Sequence, residues 1–363
     1  MHISLILGAR PNFVKYAALH AAAGLFDNLR LQVVHTGQHA LPEMSQVFFD
    51  ELSLPAPTHR LGIAGGQRAE QIAQTMAALT ALWRAERPDR VLVVGDVNAS
   101  LAGALAADAL DIPVVHYEAG LRSFDRRMPE ERNRMLIDAA STLLLCTEGA
   151  GCDNLLAEGR RQADIHLVGN LLADTLRLYA DPIGQHALPK ALGLAGGGYL
   201  LVTLHRPSNV DEADGLGRLF SLLRVLAGIA PVVFPVHPRT LDRLERSGMK
   251  AALRRLPNLN LLAPQPWTAF QALQRSCALV VTDSGCVQEE TTITGTPCLT
   301  FRENTERPVT ATLGTNVLLP DLSPEAAGRW AERALAGNWK QGALPPWWDG
   351  HAASRVWAAV LER

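Results

Sequence analysis

Short apolar runs separated by longer, more polar stretches recur along the whole chain. His2 to Gly8, Leu31 to His35, Arg90 to Val94, Ile112 to His116, Ser141 to Cys146 and Ile165 to Val168 have the length and composition of buried strands. Between them, Phe13 to Ala23, Gly65 to Arg87, Ser100 to Leu110 and a segment opening at Pro129 read as helices, Gly65 to Arg87 with apolar positions at helical spacing. Such alternation predicts a parallel, doubly wound sheet. The pattern lapses from about Leu171 to Gly198, where Asp181-Pro182, Leu188-Pro189 and Gly196-Gly197-Gly198 read as a linker.

A second series then begins. Tyr199 to Leu204, Pro231 to Val236, Leu259 to Ala263, Ala278 to Val281 and Cys298 to Phe301 read as strands. Leu216 to Ile229, Val287 to Thr294, a stretch after Pro320 running to Ala336, and His351 to Leu361 read as helices. The expected fold is α/β, with two Rossmann-like doubly wound domains facing a cleft. Residues 1–170 form the first domain, 171–198 the linker, 199–345 the second domain, and 346–363 a terminal helix packing back on the first. The halves share an architecture but no sequence repeat.

Composition narrows the possibilities. At 363 residues the chain is too long for one comfortable core and about right for two. A net charge of -2 and a pI near 6.6 give no electrostatic reason to expect nucleic acid or an anionic membrane as partner. No apolar run reaches membrane-spanning length, and the apolar start lacks a basic leader, so it reads as a first strand and the expected location is the cytoplasm. The five cysteines show no CxxC spacing, which suits buried free thiols in a reducing compartment; neither a metal nor any other cofactor is expected.

Ligands of open α/β sheets sit outside the carboxyl ends of the strands. The residues placed there are Arg10, Lys15, Asp96, Glu118, Arg122, Glu130 and Glu131 in the first half. In the second they are His205, Arg206, His237, Arg239, Asp283, Ser284, Glu290 and Arg307. Crowded carboxylates have their pKa values spread, so that one can act as acid and another as base. Around Ser284-Gly285 the turn opens a helix whose first N–H groups favour an anion, with Glu289 and Glu290 a turn further on to accept ribose hydroxyls. The same stretch also reads as an ordinary α/β crossover. Asp96 and Glu118 can equally cap helices, Glu130 and Glu131 can be solvated charges pairing with Arg134, and His205 and His237 can be plain hydrogen-bonding residues. The Trp347-Trp348 pair reads as packing for the final helix.

The ordered set Gly8-x-Arg10-Pro11-x-x-x-Lys15, Val94-Gly95-Asp96, His116-x-Glu118-Ala119-Gly120-Leu121-Arg122, Pro129-Glu130-Glu131-x-Asn133-Arg134, His205-Arg206, Thr282-Asp283-Ser284-Gly285-x-x-Gln288-Glu289-Glu290 and Thr305-Glu306-Arg307-Pro308 resembles the non-hydrolysing UDP-N-acetylglucosamine 2-epimerases. The likeness runs in order to about Leu319. It implies a fold like the GT-B glycosyltransferases and interconversion of UDP-GlcNAc and UDP-ManNAc. The implied route is anti elimination of UDP to a 2-acetamidoglucal followed by re-addition, without metal or nicotinamide. By motif position Asp96, Glu118 and Glu130 resemble the catalytic carboxylates, His205 the histidine near the diphosphate and Lys15 an active-site cation. Arg10, Ser284, Gly285, Glu290 and Arg307 resemble UDP-binding residues, and Arg122, His237 and Cys286 are further substrate-binding candidates. The expected partner is a UDP-sugar and the expected assembly a homodimer. Which carboxylate is acid and which is base stays open, as does the sugar, because some relatives with Ser-Phe after the arginine, as at Ser123-Phe124, act on diacetamido-uronic acid nucleotides. Hydrolysing epimerase, GT-B glycosyltransferase and catalytically silent UDP-sugar sensor remain alternatives. Cys286 departs from the family's usual glycine, at a steric cost if the position needs a positive φ.

Overall fold

The computed structural model describes residues 1–38, 46–194, 196–211 and 213–362; His39, expected just after the second strand, lies outside them. The chain divides into two compact units, Met1–Leu178 with Pro346–Arg363, and Tyr179–Pro345.

In the first unit the described residues form a seven-stranded sheet. Its strands are β1 (His2–Leu7), β2 (Arg30–His35), β3 (His59–Arg60), β4 (Arg90–Val94), β5 (Val114–Tyr117), β6 (Leu143–Cys146) and β7 (Ile165–Leu167). They run parallel in the order β3-β2-β1-β4-β5-β6-β7. Ile3, Leu5, Ile6 and Leu7 are fully buried, which is why β1 reads as a continuous apolar run. The helices are α1 (Arg10–Ala23), α2 (Gln46–Glu51), α3 (Arg68–Ala85), α4 (Asn98–Asp108), α5 (Pro129–Ala140), α6 (Gly149–Ala157) and α7 (Leu171–Leu178). The order reverses between β1 and β4, so the ends of those strands flank the sheet's topological switch point. Asn12 fastens that point: its Oδ1 accepts the N–H groups of Gly8 and Ala9 at 3.0 Å each, and its Nδ2 donates to the Val94 carbonyl at 3.1 Å.

The second unit repeats the topology. Its strands β8 (Leu200–Thr203), β9 (Val232–Pro235), β10 (Leu259–Leu262), β11 (Leu279–Thr282), β12 (Cys298–Phe301) and β13 (Asn316–Leu319) lie parallel in the order β10-β9-β8-β11-β12-β13. Helices α8 (Ala180–Gly184), α9 (Leu188–Ala191), α10 (Pro207–Val210), α11 (Ala213–Ile229), α12 (Pro238–Arg246), α13 (Met249–Leu253), α14 (Trp267–Ser276), α15 (Gly285–Thr294), α16 (Pro308–Thr312) and α17 (Pro324–Leu335) connect them. Here the switch point falls between β8 and β11.

The stretch read as a linker is largely helical. α7 belongs to the first unit: the Thr175 hydroxyl donates to the Val14 carbonyl at 2.9 Å, and the Leu171 N–H donates to the Tyr117 hydroxyl at 2.8 Å. α8 and α9 follow in the second unit. Pro182 and Pro189 sit in the first turns of these helices, where the missing N–H leaves no bond unmade.

The last helix, α18 (Ala352–Leu361), belongs to the first unit. Asp174 caps it, accepting the N–H groups of Ala352 and Ala353 at 3.0 and 2.8 Å. Trp357 is fully buried and its Nε1 donates to the Leu19 carbonyl at 2.8 Å. Of the Trp347-Trp348 pair, only Trp348 packs inward, donating to the Thr147 carbonyl at 2.9 Å. Trp347 stays half exposed with Arg355 4.9 Å from its ring centre. Trp357→Ala should cost about 3–5 kcal/mol by emptying this site and orphaning the Leu19 carbonyl. Urea unfolding measures it, and an unchanged midpoint would contradict the packing role.

Candidate active site

In the first unit, β4 ends in Gly95-Asp96 and β5 in Glu118. Glu118 adopts a left-handed backbone conformation, φ 74°, at a cost on the order of 1–3 kcal/mol for a residue with a side chain. That bend carries its carboxylate over Gly95. A Cβ at residue 95 would lie 2.7 Å from Glu118 Oε2, so only glycine admits this placement. From α1 the Lys15 ammonium reaches the same Oε2 at 2.5 Å, and both side chains are almost wholly buried. Two opposite charges removed from water together are stable only as a pair. Gly120, φ 75°, completes the turn by backing onto the Gly151 carbonyl, which a Cβ would meet at 2.1 Å.

Much of what fixes these carboxylates comes from one face of α5. Glu131, Arg134 and Asp138 recur at helical spacing and are all buried. Arg134 pairs with the Asp96 carboxylate and with Glu131 Oε2 at 2.6 Å. Glu131 also accepts the Ser123 and Phe124 N–H groups at 2.9 and 3.0 Å. Burial would raise the Glu131 carboxyl, but the Ser123 N–H and hydroxyl and Arg134 bring it below its ordinary value. Glu131 is therefore a buried brace and not the solvated charge that its helix-start position suggests. Asn133 donates to the Asp96 carbonyl at 2.7 Å and accepts from Arg68 at 2.5 Å.

The other candidates of this unit are placed differently. Glu130 is exposed in the first turn of α5. Arg10 opens α1 with its guanidinium 5.3 Å from the Phe48 ring centre. Arg122, a substrate-binding candidate, turns inward: its guanidinium contacts Asp138 at 2.7 Å and Glu158 at 2.7 and 2.8 Å. Its charge is spent on holding structure.

In the second unit, Asp283 spans the switch point. Fully buried at the end of β11, it accepts the N–H groups of His205 and Arg206 and the Asn209 amide, and contacts His205 Nδ1 at 3.0 Å. Burial alone would raise its carboxyl; His205, Asn209 and the Arg206 N–H lower it to about 2. His205 is one-third exposed, and its ring lies 4.9 Å from that of His237, whose Nδ1 accepts the Arg239 N–H and caps α12. Arg239 is engaged by Asp211.

α15 begins at Gly285 directly after Ser284, and Gly295, φ 73°, ends it. Each residue of Gln288-Glu289-Glu290 braces something. Gln288 accepts from Thr305 at 2.9 Å and Asn316 at 3.0 Å, Glu289 meets Arg307 Nε at 2.6 Å, and Glu290 accepts the Trp267 indole N–H at 3.1 Å. Glu289 and Glu290 are both buried, and each meets a partner within the unit. Glu306 holds Arg307 at 2.8 Å and Arg302 at 2.6 Å. A Cβ at Gly285 would lie 3.2 Å from Arg307 Nη1, so the guanidinium sits against the first residue of the helix. Burial, and repulsion from Arg206 and Arg307, lower the Arg302 pKa. Arginines gathered at the positive end of a helix dipole make a place for an anion.

Comparison with known proteins now decides the family. A family model described as UDP-N-acetylglucosamine 2-epimerase matches residues 24–361. The chain belongs to this family. It is 39% identical over 363 residues to UDP-2,3-diacetamido-2,3-dideoxy-D-glucuronate 2-epimerase of Pseudomonas aeruginosa, covering 98% of each chain. It is 36% identical to UDP-N-acetylglucosamine 2-epimerase of Methanocaldococcus jannaschii, again over 98% of each. The crystal structure of an M. jannaschii UDP-GlcNAc 2-epimerase in complex with UDP-GlcNAc and UDP superposes with a TM-score of 0.89 at 35% identity, covering 99% of both chains.

Within this epimerase, Cys286 is the second residue of α15, and it is absent from the residues with positive φ. Cysteine is therefore tolerated without backbone strain. Asp138 is absent from the residues expected at strand ends, and Asp283, which is among them, braces the His205 turn from inside. The signal for Asp138 was available: with Glu131 and Arg134 it makes a charged stripe at helical period, which a solvated helix face has no reason to align with Ile137. Among the described residues no group of three or more His, Cys, Asp or Glu is placed to hold a metal ion, and no helix is long and apolar enough to cross a membrane.

Asp283 makes the second unit acid-sensitive. Its carboxyl lies below its ordinary value of 3.8, so its stabilisation is complete above that value and is lost as pH falls through the window down to about 2. Urea midpoints measured across this range should fall in the native protein and fall less steeply in Asp283→Asn. Parallel pH dependences would exclude Asp283 as the titrating group.

Proposed function

We propose that this epimerase inverts C2 of a UDP-N-acetylhexosamine, interconverting UDP-GlcNAc and UDP-ManNAc. The observation that carries the reading is the pair of carboxylates at the ends of β4 and β5. Glu118 lies over Gly95, the residue before Asp96, and each carboxylate is held by its own cation, Lys15 or Arg134. One carboxylate takes the C2 hydrogen as a proton. The C–H electron pair becomes the C1–C2 double bond, the C1–O bond breaks, and UDP departs with the C1–O electron pair. The 2-acetamidoglucal remains bound. UDP then adds back to C1 while a proton is delivered to the opposite face of C2, so atoms and charge balance. Inversion needs proton-handling groups for two faces, and Asp96 and Glu118 meet that requirement, with the exposed Glu130 as third carboxylate.

In the second unit, the N–H groups of Gly285 and Cys286 at the start of α15, with Ser284 and Arg307, receive the diphosphate, and His205 beside His237 faces the charge that develops as UDP leaves. The 39% identity to a UDP-diacetamido-glucuronate 2-epimerase favours a second reading, in which the same chemistry acts on a uronic acid nucleotide. We place the protein in the cytoplasm, where thiols such as its five free cysteines persist, as a homodimer, which light scattering checks.

Incubation in deuterated water with a panel of UDP-GlcNAc, UDP-ManNAc and UDP-diacetamido-glucuronate should put deuterium at C2 of the true substrate. No exchange with any UDP-sugar would sink the epimerase reading. Glu118→Gln and Asp96→Asn should abolish exchange while leaving UDP affinity within roughly tenfold, about 1.4 kcal/mol. A larger loss would mark them as nucleotide ligands.

A further inference from the structure

We infer that Asp138 is the positioning residue that holds Glu118 in its left-handed turn. The inference rests on the epimerase reading of Glu118. The Asp138 carboxylate is buried beneath the loop running from His116 to Arg122 and grips it at three points. Upstream of Glu118, its Oδ1 meets His116 Nδ1 at 2.6 Å. Downstream, its Oδ2 accepts the Gly120 N–H at 3.2 Å and contacts Arg122 Nη2 at 2.7 Å. The grip extends further through His116. Its Nε2 lies 3.1 Å from the Gly95 carbonyl, and Gly95 is the residue on which the Glu118 carboxylate rests. Both ring nitrogens of His116 therefore face oxygen atoms of the turn's surroundings.

A single carboxylate thus brackets Glu118 in the chain and also reaches the surface beneath its side chain. Backbone bonds also hold the turn: the Glu118 and Ala119 N–H groups converge on the Leu145 carbonyl at 3.0 and 3.2 Å. Those bonds fix where the turn leaves the sheet but leave the far side, at Gly120, to Asp138 and to Asn154, which donates to the Gly120 carbonyl at 2.9 Å. Without Asp138 the residue at φ 74° loses the acceptor that closes its turn, and the cheaper right-handed conformation would swing the carboxylate away from Lys15. Asp138 itself touches neither Lys15 nor Asp96, so its effect on chemistry passes through geometry.

Three measurements test this on the intact protein: the rate of C2 deuterium exchange, UDP affinity by calorimetry, and the backbone of residue 118 in crystals. Asp138→Ala should lower kcat about a hundredfold, the scale of an ångström's misplacement, with UDP affinity within twofold and Glu118 out of the left-handed region. Asp138→Asn keeps an acceptor for Gly120 and should recover most of the rate. Should Asp138→Ala not fold, the double variant Arg122→Met with Asp138→Leu removes the carboxylate and its cation together, and the same loss of kcat is expected. A folded variant lacking the acceptor that keeps Glu118 at positive φ and native kcat would overturn the proposal. So would loss of UDP affinity in step with kcat, or an Asn variant as impaired as Ala. If the native protein exchanges no deuterium the epimerase reading fails, and the conformation of residue 118 in the variants still decides the role of Asp138.

Discussion

A lysine and a glutamate share a site from which water has been almost wholly removed, and the first unit is built around that fact. Desolvating either charge costs several kcal/mol, which only the partner and well-aimed dipoles offset. Lys15 comes from α1 and Glu118 from the end of β5, so the pair ties the first crossover to the sheet at its switch point. The demand then propagates. Glu118 must bend to φ 74°, Gly95 must lack a side chain beneath it, Gly120 must lack one against Gly151, and α5 must supply buried polar groups. One ion pair explains why the motif around β5 contains both an acidic residue and glycines.

The second unit meets the opposite problem. Arg302 and Arg307 are buried near Arg206, and each needs a compensating charge without losing its capacity to attract an anion. Glu289 supplies that charge from within α15 and Glu306 from the loop before Arg307, with the Glu306 Oε1 beside Gly285 at the helix start. Asp283 does the same for the histidine side, organising His205 through both ring and backbone. Carboxylates in this unit are supports for cations; in the first unit cations are supports for carboxylates. That exchange of roles matches a reaction in which a proton is moved at one place and a diphosphate charge is carried at another.

The alternation of strands and helices was legible because strands buried on both faces leave continuous apolar runs, and every long helix placed between Phe13 and Leu361 exists. α14 was not legible because Trp267 to Ser276 mixes its apolar positions with Gln271 and Gln274, which are buried in spite of their polarity. The site was legible as a list of residues at strand ends but not as a set of roles. Arg122, Glu289 and Glu290 carry the residue types of ligands, yet each is consumed by a neighbour that lies far off in sequence or on another helix. A sequence shows which polar groups stand at strand ends; whether a guanidinium faces a substrate or Asp138 depends on rotamers and burial that no local pattern encodes. Cys286 shows the converse: its place in α15, without a positive φ, removes the steric cost that its departure from the family's usual glycine suggested.

The first unit is assembled from both ends of the chain, with α18 and its buried Trp357 supplied by the last residues. The bond from Trp357 to the Leu19 carbonyl joins residues 338 apart in sequence, so the first unit closes only across the whole length of the second, a long-range contact of the kind that slows folding. The second unit is contiguous, Tyr179–Pro345, and needs no such return of the chain. The half proposed to bear the proton-transfer carboxylates is therefore the one whose completion depends on the longest loop closure in the molecule.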